Sequence, residues 1–193
     1  MFEKMLHFQY NFMRKFNPDL FLRPSAEYVK KNIKGELVIA EIGVAHGLNA
    51  LAMLQNLNIK HIYLVDPWDK IESIREKDKL YAKKLLKGYE GKTTYINEFS
   101  VDAYDKVPDD LDYVYIDADK NRYESAYKDI ELYYPKVRNG GILGGHDFDG
   151  HYQTQCRAVI DFCNAQDLKL HTWKKDWWFV KKERKNGCSI DRL

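Results

Sequence analysis

Most of the residues in this sequence that could do chemistry stand directly after short apolar runs. Asp117 and Asp119 follow Leu111–Ile116, with Lys120 next, and His146 and Asp147 follow the glycine-rich stretch Asn139–Gly145. Asp66 closes His61–Val65, and Glu41 lies within Glu36–Ile42, ahead of Gly43 and Gly47. If the runs are neighbouring parallel strands, their carboxyl ends lie about 4.8 Å apart, and side chains from both converge above the sheet edge. Asp117 with His146 and Asp147 could then grip one divalent cation. A histidine in that set favours a borderline metal such as Mn²⁺ over Mg²⁺, which prefers oxygen. In the alternative, His146 points away and Asp117, Asp119 or Asp147 binds. A carboxylate such as Asp66 offers two acceptor oxygens to a vicinal diol. Gly43 and Gly47 sit where the backbone must turn sharply and admit a ligand, before a helix whose first N–H groups are open. The spacing is E-x-G-x-x-x-G; Ala45 stands where the dinucleotide fingerprint G-x-G-x-x-G needs its second glycine, which disfavours a dehydrogenase.

The elements that must hold these residues follow from the patterning. Runs expected as strands cover Glu36–Ile42, His61–Val65, Thr93–Ile96, Leu111–Ile116 and Gly141–Leu143. Helix-like stretches lie between them at Leu48–Asn56, Lys70–Lys87, Val101–Lys106 (short) and Tyr123–Val137. Such alternation implies βαβ units and a parallel sheet. A helix at about 151–166 follows, then runs at Leu168–Trp173 and Trp177–Lys181 joined by a turn at Lys174–Asp176, which would add an antiparallel hairpin. The expected fold is α/β, a Rossmann-like doubly wound and mostly parallel sheet of seven strands. Ahead of it, residues 1–17 place apolar side chains at helical spacing up to Asn17-Pro18, and Ser25 is the expected N-cap of a second short helix.

The spacing of Glu41, Gly43 and Gly47 resembles motif I of the class I S-adenosylmethionine-dependent methyltransferases. In that family the loop wraps the amino-acid end of the cofactor, and an acid at the end of the second strand holds the ribose; Asp66 occupies that position. D-A-D-K-N-R-Y, Asp117 to Tyr123, closely resembles the cation-dependent O-methyltransferases of the caffeoyl-CoA and catechol type. G-G-H-D-F, Gly144 to Phe148, resembles the branch that includes macrolide-sugar methyltransferases. The resemblance runs from about Glu36 to Phe148 and implies S-adenosylmethionine as cofactor, a divalent cation, and a small-molecule hydroxyl as acceptor. It implies cofactor contacts at Glu41, Gly43, Gly47, Asp66 and Asp117, metal ligands at Asp117, His146 and Asp147, and Lys120 as base. A lysine can serve so when a nearby cation disfavours its charged form and acidifies the substrate hydroxyl. The sequence departs from the family at His146, which falls on the aspartate of an Asp-Asn pair. After the third strand only Ser100 matches the adenine-side turn, so Phe99 stands either as a stacking ring or as core, and Trp68 as pocket wall or packing. Residues 1–34 would form a helical cover or part of a homodimer interface, 35–183 the methyltransferase domain, and 184–193 a basic tail. A metal-independent enzyme acting on a sugar hydroxyl, or an inactive cofactor-binding partner subunit, are the other readings.

Composition narrows the partners. The 193 residues carry 31 Lys+Arg against 29 Asp+Glu, so no global field selects nucleic acid or an anionic membrane. The lysines around Trp177-Trp178 suit single-stranded nucleic acid, but equally an edge strand guarded against pairing. Neither D-P-P-Y nor N-P-P-Y follows the fourth strand, and there is no Pro-Cys nucleophile, which argues against base methylation. Three cysteines without C-x-x-C spacing indicate neither a disulfide scaffold nor a zinc cluster. No signal-type or membrane-spanning apolar stretch is present, and a cytoplasmic location is expected.

Overall fold

Alternating apolar and amphipathic stretches become seven strands and five α-helices among the described residues, which in this computed structural model are 22–70, 76–119 and 122–182. The helix expected over 1–17, Lys120, and the tail from 183 lie outside them. Pro24 opens α1 (Pro24–Asn32), where its missing N–H costs nothing, and extended Arg23 precedes it as the cap residue. Ser25 is therefore not the N-cap that the sequence suggests. It lies in the first turn, fully buried, with its hydroxyl turned into the sheet.

The remaining elements are β1 (Leu37–Ile42), α2 (Leu48–Asn56), β2 (Ile59–Val65), α3 (Glu76–Leu85), β3 (Thr93–Ile96), β4 (Leu111–Ile116), α4 (Tyr123–Tyr133), β5 (Val137–Gly145), α5 (Gln153–Ala165), β6 (His171–Trp173) and β7 (Asp176–Val180). The sheet order is β3-β2-β1-β4-β5-β7-β6; the first five strands are parallel, and β7 pairs antiparallel with both β5 and β6. Strand side chains alternate between two cores. Ile39, Tyr113, Tyr115 and Trp178 join α1 and α2 on one face, while Ala40, Ile42, Val114, Ile116, Trp177 and Phe179 meet α4 and α5 on the other.

Three boundaries differ from expectation for identifiable reasons. Pro135 lacks the N–H that would continue α4, so the helix stops at Tyr133 rather than 137. The strand expected over Gly141–Leu143 is longer, because the chain passes Asn139-Gly140 as an irregularity in the β4–β5 register and pairing resumes beyond it. The stretch Val101–Lys106 holds one 3₁₀ turn, Tyr104–Lys106, too short for an α-helix. The hairpin turns at Lys174-Lys175, with Lys174 at φ 56 and Trp173 paired to Asp176.

Strand β1 has β2 on one side and β4 on the other, so the direction of winding reverses at β1. At such a switch point the connections leave in opposite directions and open a crevice at the carboxyl ends of the strands.

Candidate active site

That crevice is a cavity of about 880 Å³ whose lining includes the loop after β1, the end of β2, the turn after β3 and the end of β4. Its floor is the glycine loop. Gly43 has φ +87, and a Cβ there would lie 2.2 Å from the Asp117 carbonyl oxygen. β1 and β4 therefore approach closely only because this residue has no side chain. Gly47, at φ +77, turns the chain into α2 as its cap. Between them Ala45 also adopts a positive φ of 47, a conformation that costs an alanine about 1–2 kcal/mol. Two side chains hold it there. Asp66 Oδ2 accepts the amides of Val44 at 3.0 Å and Ala45 at 2.9 Å, and the Trp68 indole donates to the Ala45 carbonyl at 2.8 Å.

This clamp reassigns one expected site residue. Trp68 is fully buried in the core beneath the loop and does not line the cavity, so it braces the glycine loop instead of walling the pocket. Asp66 lines the cavity and braces the loop at once.

Glu41 is 1% exposed at the end region of β1, and its Oε1 accepts the Asn49 amide of α2 at 3.0 Å. Burial pushes its carboxyl up to about 8, against the Asn49 hydrogen bond, and the nearby Asp117 adds to the rise. Glu41 Oε2 and Asn49 Oδ1 are buried with no hydrogen-bond partner among the described residues, and both residues line the cavity. Once the Glu41 carboxyl gives up its proton, both oxygens can accept from a donor group supplied by a ligand. Asn49 was not legible as a site residue; its signal is the helical position that turns its amide back to β1.

On the β3 side, Phe99 is 44% exposed and lines the cavity, so its ring is wall and not core. Ser100 also lines it, and its hydroxyl donates to Asp129 Oδ1 of α4 at 2.5 Å. Burial pushes the Asp129 carboxyl up to about 6, with the Ser100 hydrogen bond opposing. Asp129 had carried no sequence signal beyond its place on a helix.

The ends of β4 and β5 bring Asp117, His146 and Asp147 together, with one ligand atom from each lying within 4.8 Å of the others. His146 Nδ1 lies 3.0 Å from Asp147 Oδ1 and 3.9 Å from Asp117 Oδ2. A fourth residue, Arg23, changes what this group can hold. Its Nη1 lies 2.6 Å from His146 Nε2. A guanidinium only donates, so Nε2 must be the accepting nitrogen, and in the neutral ring Nδ1 then carries the proton. Nδ1 is the nitrogen on the Asp147 side. One ring nitrogen is taken by Arg23 and the other has no lone pair to offer, so His146 as arranged does not fit a divalent cation. Asp117, Asp119 and Arg23 line the cavity, whereas His146 and Asp147 lie behind them. Asp119 is bound by Arg122 at 3.1 Å. Lys120 lies outside the described residues.

Arg23 itself is fixed through its neighbour. Ser25 donates to Asp176 Oδ2 from its hydroxyl at 2.7 Å and its amide at 3.2 Å, and the same hydroxyl meets the Tyr113 phenol at 2.7 Å. Tyr115 donates to Asp176 Oδ1 at 3.2 Å. This buried network ties the start of α1 to β4 and β7, and so sets Arg23 at the cavity rim.

Comparison with known proteins agrees with this geometry. A family model described as a methyltransferase domain matches residues 40–148, more than half of the chain. No curated protein matches the sequence. Among solved structures, an S-adenosylmethionine-dependent O-methyltransferase from Thermotoga maritima superposes with a TM-score of 0.66 at 12% identity, over 86% of this chain and 68% of that one. An O-methyltransferase from Bacillus cereus in complex with S-adenosylhomocysteine gives 0.66 at 15% identity, over 93% and 90%. An rRNA methylase from Streptococcus thermophilus gives 0.64 at 14%, over 84% and 99%. The fold is thus common to proteins named for different acceptors. With its loop, crevice and strand order in register with that fold, the chain belongs to the methyltransferase-domain family.

Proposed function

We propose that this protein transfers a methyl group from S-adenosylmethionine to a hydroxyl oxygen of a small molecule. The observation that carries the reading is the pair of buried oxygens without partners among the described residues, Glu41 Oε2 and Asn49 Oδ1, at the glycine-loop end of the cavity. They suit the α-ammonium of the donor's amino-acid end, a cation with three donors. Asp66, at the end of β2, meets the ribose hydroxyls on the cavity side while its Oδ2 braces the loop. Phe99 and Ser100 flank the adenine. The cofactor supplies a methyl group already activated by its sulfonium, so this chain's residues have mainly to bind, align and exclude water.

The acceptor enters beside Asp117 at the end of β4. The acceptor oxygen forms the new bond to carbon as the carbon–sulfur bond breaks and its electron pair stays on sulfur; the hydroxyl proton goes to a base. Lys120, in the D-A-D-K pattern, is that base in this reading. Oxygen as nucleophile is supported by that pattern and by the O-methyltransferase names among the structural relatives. A small acceptor agrees with the near-zero net charge and with a cavity that donor and acceptor together would fill. No helix among the described residues is long and apolar enough to cross a membrane. Of the cation-assisted and metal-free forms of the reaction, the Arg23–His146 contact favours the second.

Titration calorimetry with S-adenosylmethionine and S-adenosylhomocysteine tests the donor, and transfer of a labelled methyl group to catechols and to glycosides tests the acceptor. Binding of both cofactor forms with label in a base-stable ether product is expected. No binding at millimolar ligand would refute the reading.

A further inference from the structure

We infer that Arg23 is the resident cation of this active site, in place of the divalent cation that the sequence resemblance implies, with His146, backed by Asp147, as the residue that holds it. The inference rests on the methyltransferase reading above. It does not depend on Lys120, and it goes beyond that reading by naming the charge that meets the acceptor.

Three independent features converge on it. The first is the contact itself: Nη1 lies 2.6 Å from Nε2, a hydrogen bond that only the arginine can donate, with Nδ1 at an ion-pair distance of 3.0 Å from Asp147 Oδ1. Arginine donates to Nε2 of the histidine, and the other ring nitrogen lies beside a carboxylate. A carboxylate at the far end makes Nε2 a better acceptor, as carboxylate–histidine pairs do for a bound metal. Here the recipient of that lone pair is a guanidinium.

The second feature is location. Arg23 lines the cavity beside Asp117, whereas His146 is only 13% exposed and Asp147 6% at their side chains, behind it. The positive charge is what the acceptor would meet. The third is the electrostatic setting. Burial alone would favour loss of the charge, but the surrounding acidic groups, Asp176 and Asp117 among them, outweigh it and raise the guanidinium above its ordinary value. A permanently charged group in a partly desolvated site stabilises charge that develops on an acceptor oxygen, with no reorganisation during the reaction. The Ser25–Asp176–Tyr113 network supplies the rigidity such a group needs.

The histidine that follows β5 gains a reason. An oxygen ligand at position 146 would suit a hard cation, whereas an imidazole with its lone pair aimed outward suits an arginine donor. His146 and Arg23 are thus two halves of one device, brought together from 123 positions apart.

The experiment uses the full chain with S-adenosylhomocysteine bound. Ring ¹⁵N spectra, with His146 assigned from its absence in His146→Gln, are expected to report Nδ1 protonated and Nε2 bare; the opposite tautomer overturns the inference. Titration with Mn²⁺ followed by electron paramagnetic resonance is expected to find no stoichiometric site below millimolar. A micromolar site lost in Asp117→Asn overturns it. After dialysis against a chelator, methyl transfer is expected to be unchanged, and loss restored by Mg²⁺ or Mn²⁺ overturns it. Arg23→Met should lower kcat about 10²-fold while cofactor affinity stays within about threefold, with Arg23→Lys recovering part of the rate. Full activity in Arg23→Met overturns it. Should Arg23→Met fail to fold, the tautomer and Mn²⁺ measurements on the unaltered protein decide. Failure of the cofactor to bind any of these proteins would instead strike the methyltransferase reading.

Discussion

Replacing Glu41 by glutamine should stabilise the protein by an amount that grows with pH. The folded-state carboxyl, pushed from 4.5 up to about 8 chiefly by burial, keeps its proton over a range in which the unfolded chain has lost it. Below pH 4.5 both states are protonated and Glu41 contributes no difference. From there upward the folded state holds more protons than the unfolded one, so stability falls as pH rises, and the fall ends above about 8. The slope for one such proton is about 1.4 kcal/mol per pH unit. Between pH 5 and 7 the cost should therefore grow by roughly 2–3 kcal/mol. Glutamine keeps the Oε1 acceptor for Asn49 and never ionises. Urea unfolding of both proteins at half-unit steps from pH 5 to 8.5 measures the difference, which should be near its minimum at pH 5 and widen steadily. A constant difference across that range would refute the buried, protonated Glu41. The same argument gives a second readout. An ammonium bound at Glu41 Oε2 favours the carboxylate, so S-adenosylmethionine binding at pH 7 should release close to one proton at this residue, visible in calorimetry as a buffer-dependent heat. Glu41→Gln should abolish that release and weaken binding by about 1.5–3 kcal/mol, roughly 10- to 150-fold.

Gly43→Ala must both adopt φ +87 and push a Cβ to 2.2 Å from the Asp117 carbonyl, so it should cost about 3 kcal/mol or more and eliminate cofactor binding; a fully stable, binding-competent variant would contradict the close β1–β4 approach. Ser25→Ala removes one of the donors to buried Asp176 and the partner of the Tyr113 phenol. A loss of about 1–3 kcal/mol in urea unfolding is expected, together with a lower kcat through Arg23, and a change below 0.5 kcal/mol would leave the network without its role. Lys120→Ala should depress methyl transfer by about 10²- to 10⁴-fold with cofactor affinity unchanged, and full turnover would remove it as the base.

The sheet was legible because its signals are local. A run such as Leu111–Ile116 announces its own strand, and a glycine pair with an acid ahead of it announces the turn; the strand Thr93–Ile96 and the helix Leu48–Asn56 emerge with the boundaries that the pattern suggests. Less legible was the work that each site residue does. Asp66 and Trp68 come from one short stretch, D-P-W, and sequence alone cannot tell a ligand contact from a brace. What makes them a brace is Ala45, a residue at positive φ whose amide and carbonyl both need holding. Ser25 looked like a helix cap because serine before an amphipathic run usually is one. It is instead displaced by one structural fact, Pro24 taking the first helical position, which leaves the cap to Arg23.

Arg23 was the hardest to read, for a reason that bears on how such sites change. A metal site is recognised by the residue types of its ligands, so a histidine in place of an aspartate reads as a ligand of a different softness. Yet a histidine has two nitrogens with opposed roles, and which of them is basic depends on a neighbour that sequence does not pair with it. Here that neighbour sits before the first described helix, whose Ser25 is bound to β7, the strand inserted antiparallel beside β5. Exchanging a bound ion for a side-chain cation therefore needs no new chemistry on the β4 and β5 ends. It needs an arginine within reach, a fixed helix start behind it, and one ring that accepts where an oxygen would have ligated. The consequence is a charge that neither chelation nor metal scarcity can remove, at the cost of a geometry that cannot adjust to chelating acceptors as an ion's coordination sphere does. On that ground the acceptor of this protein should present a single hydroxyl to the site, and a catechol should hold no advantage over a monohydroxyl acceptor of the same shape.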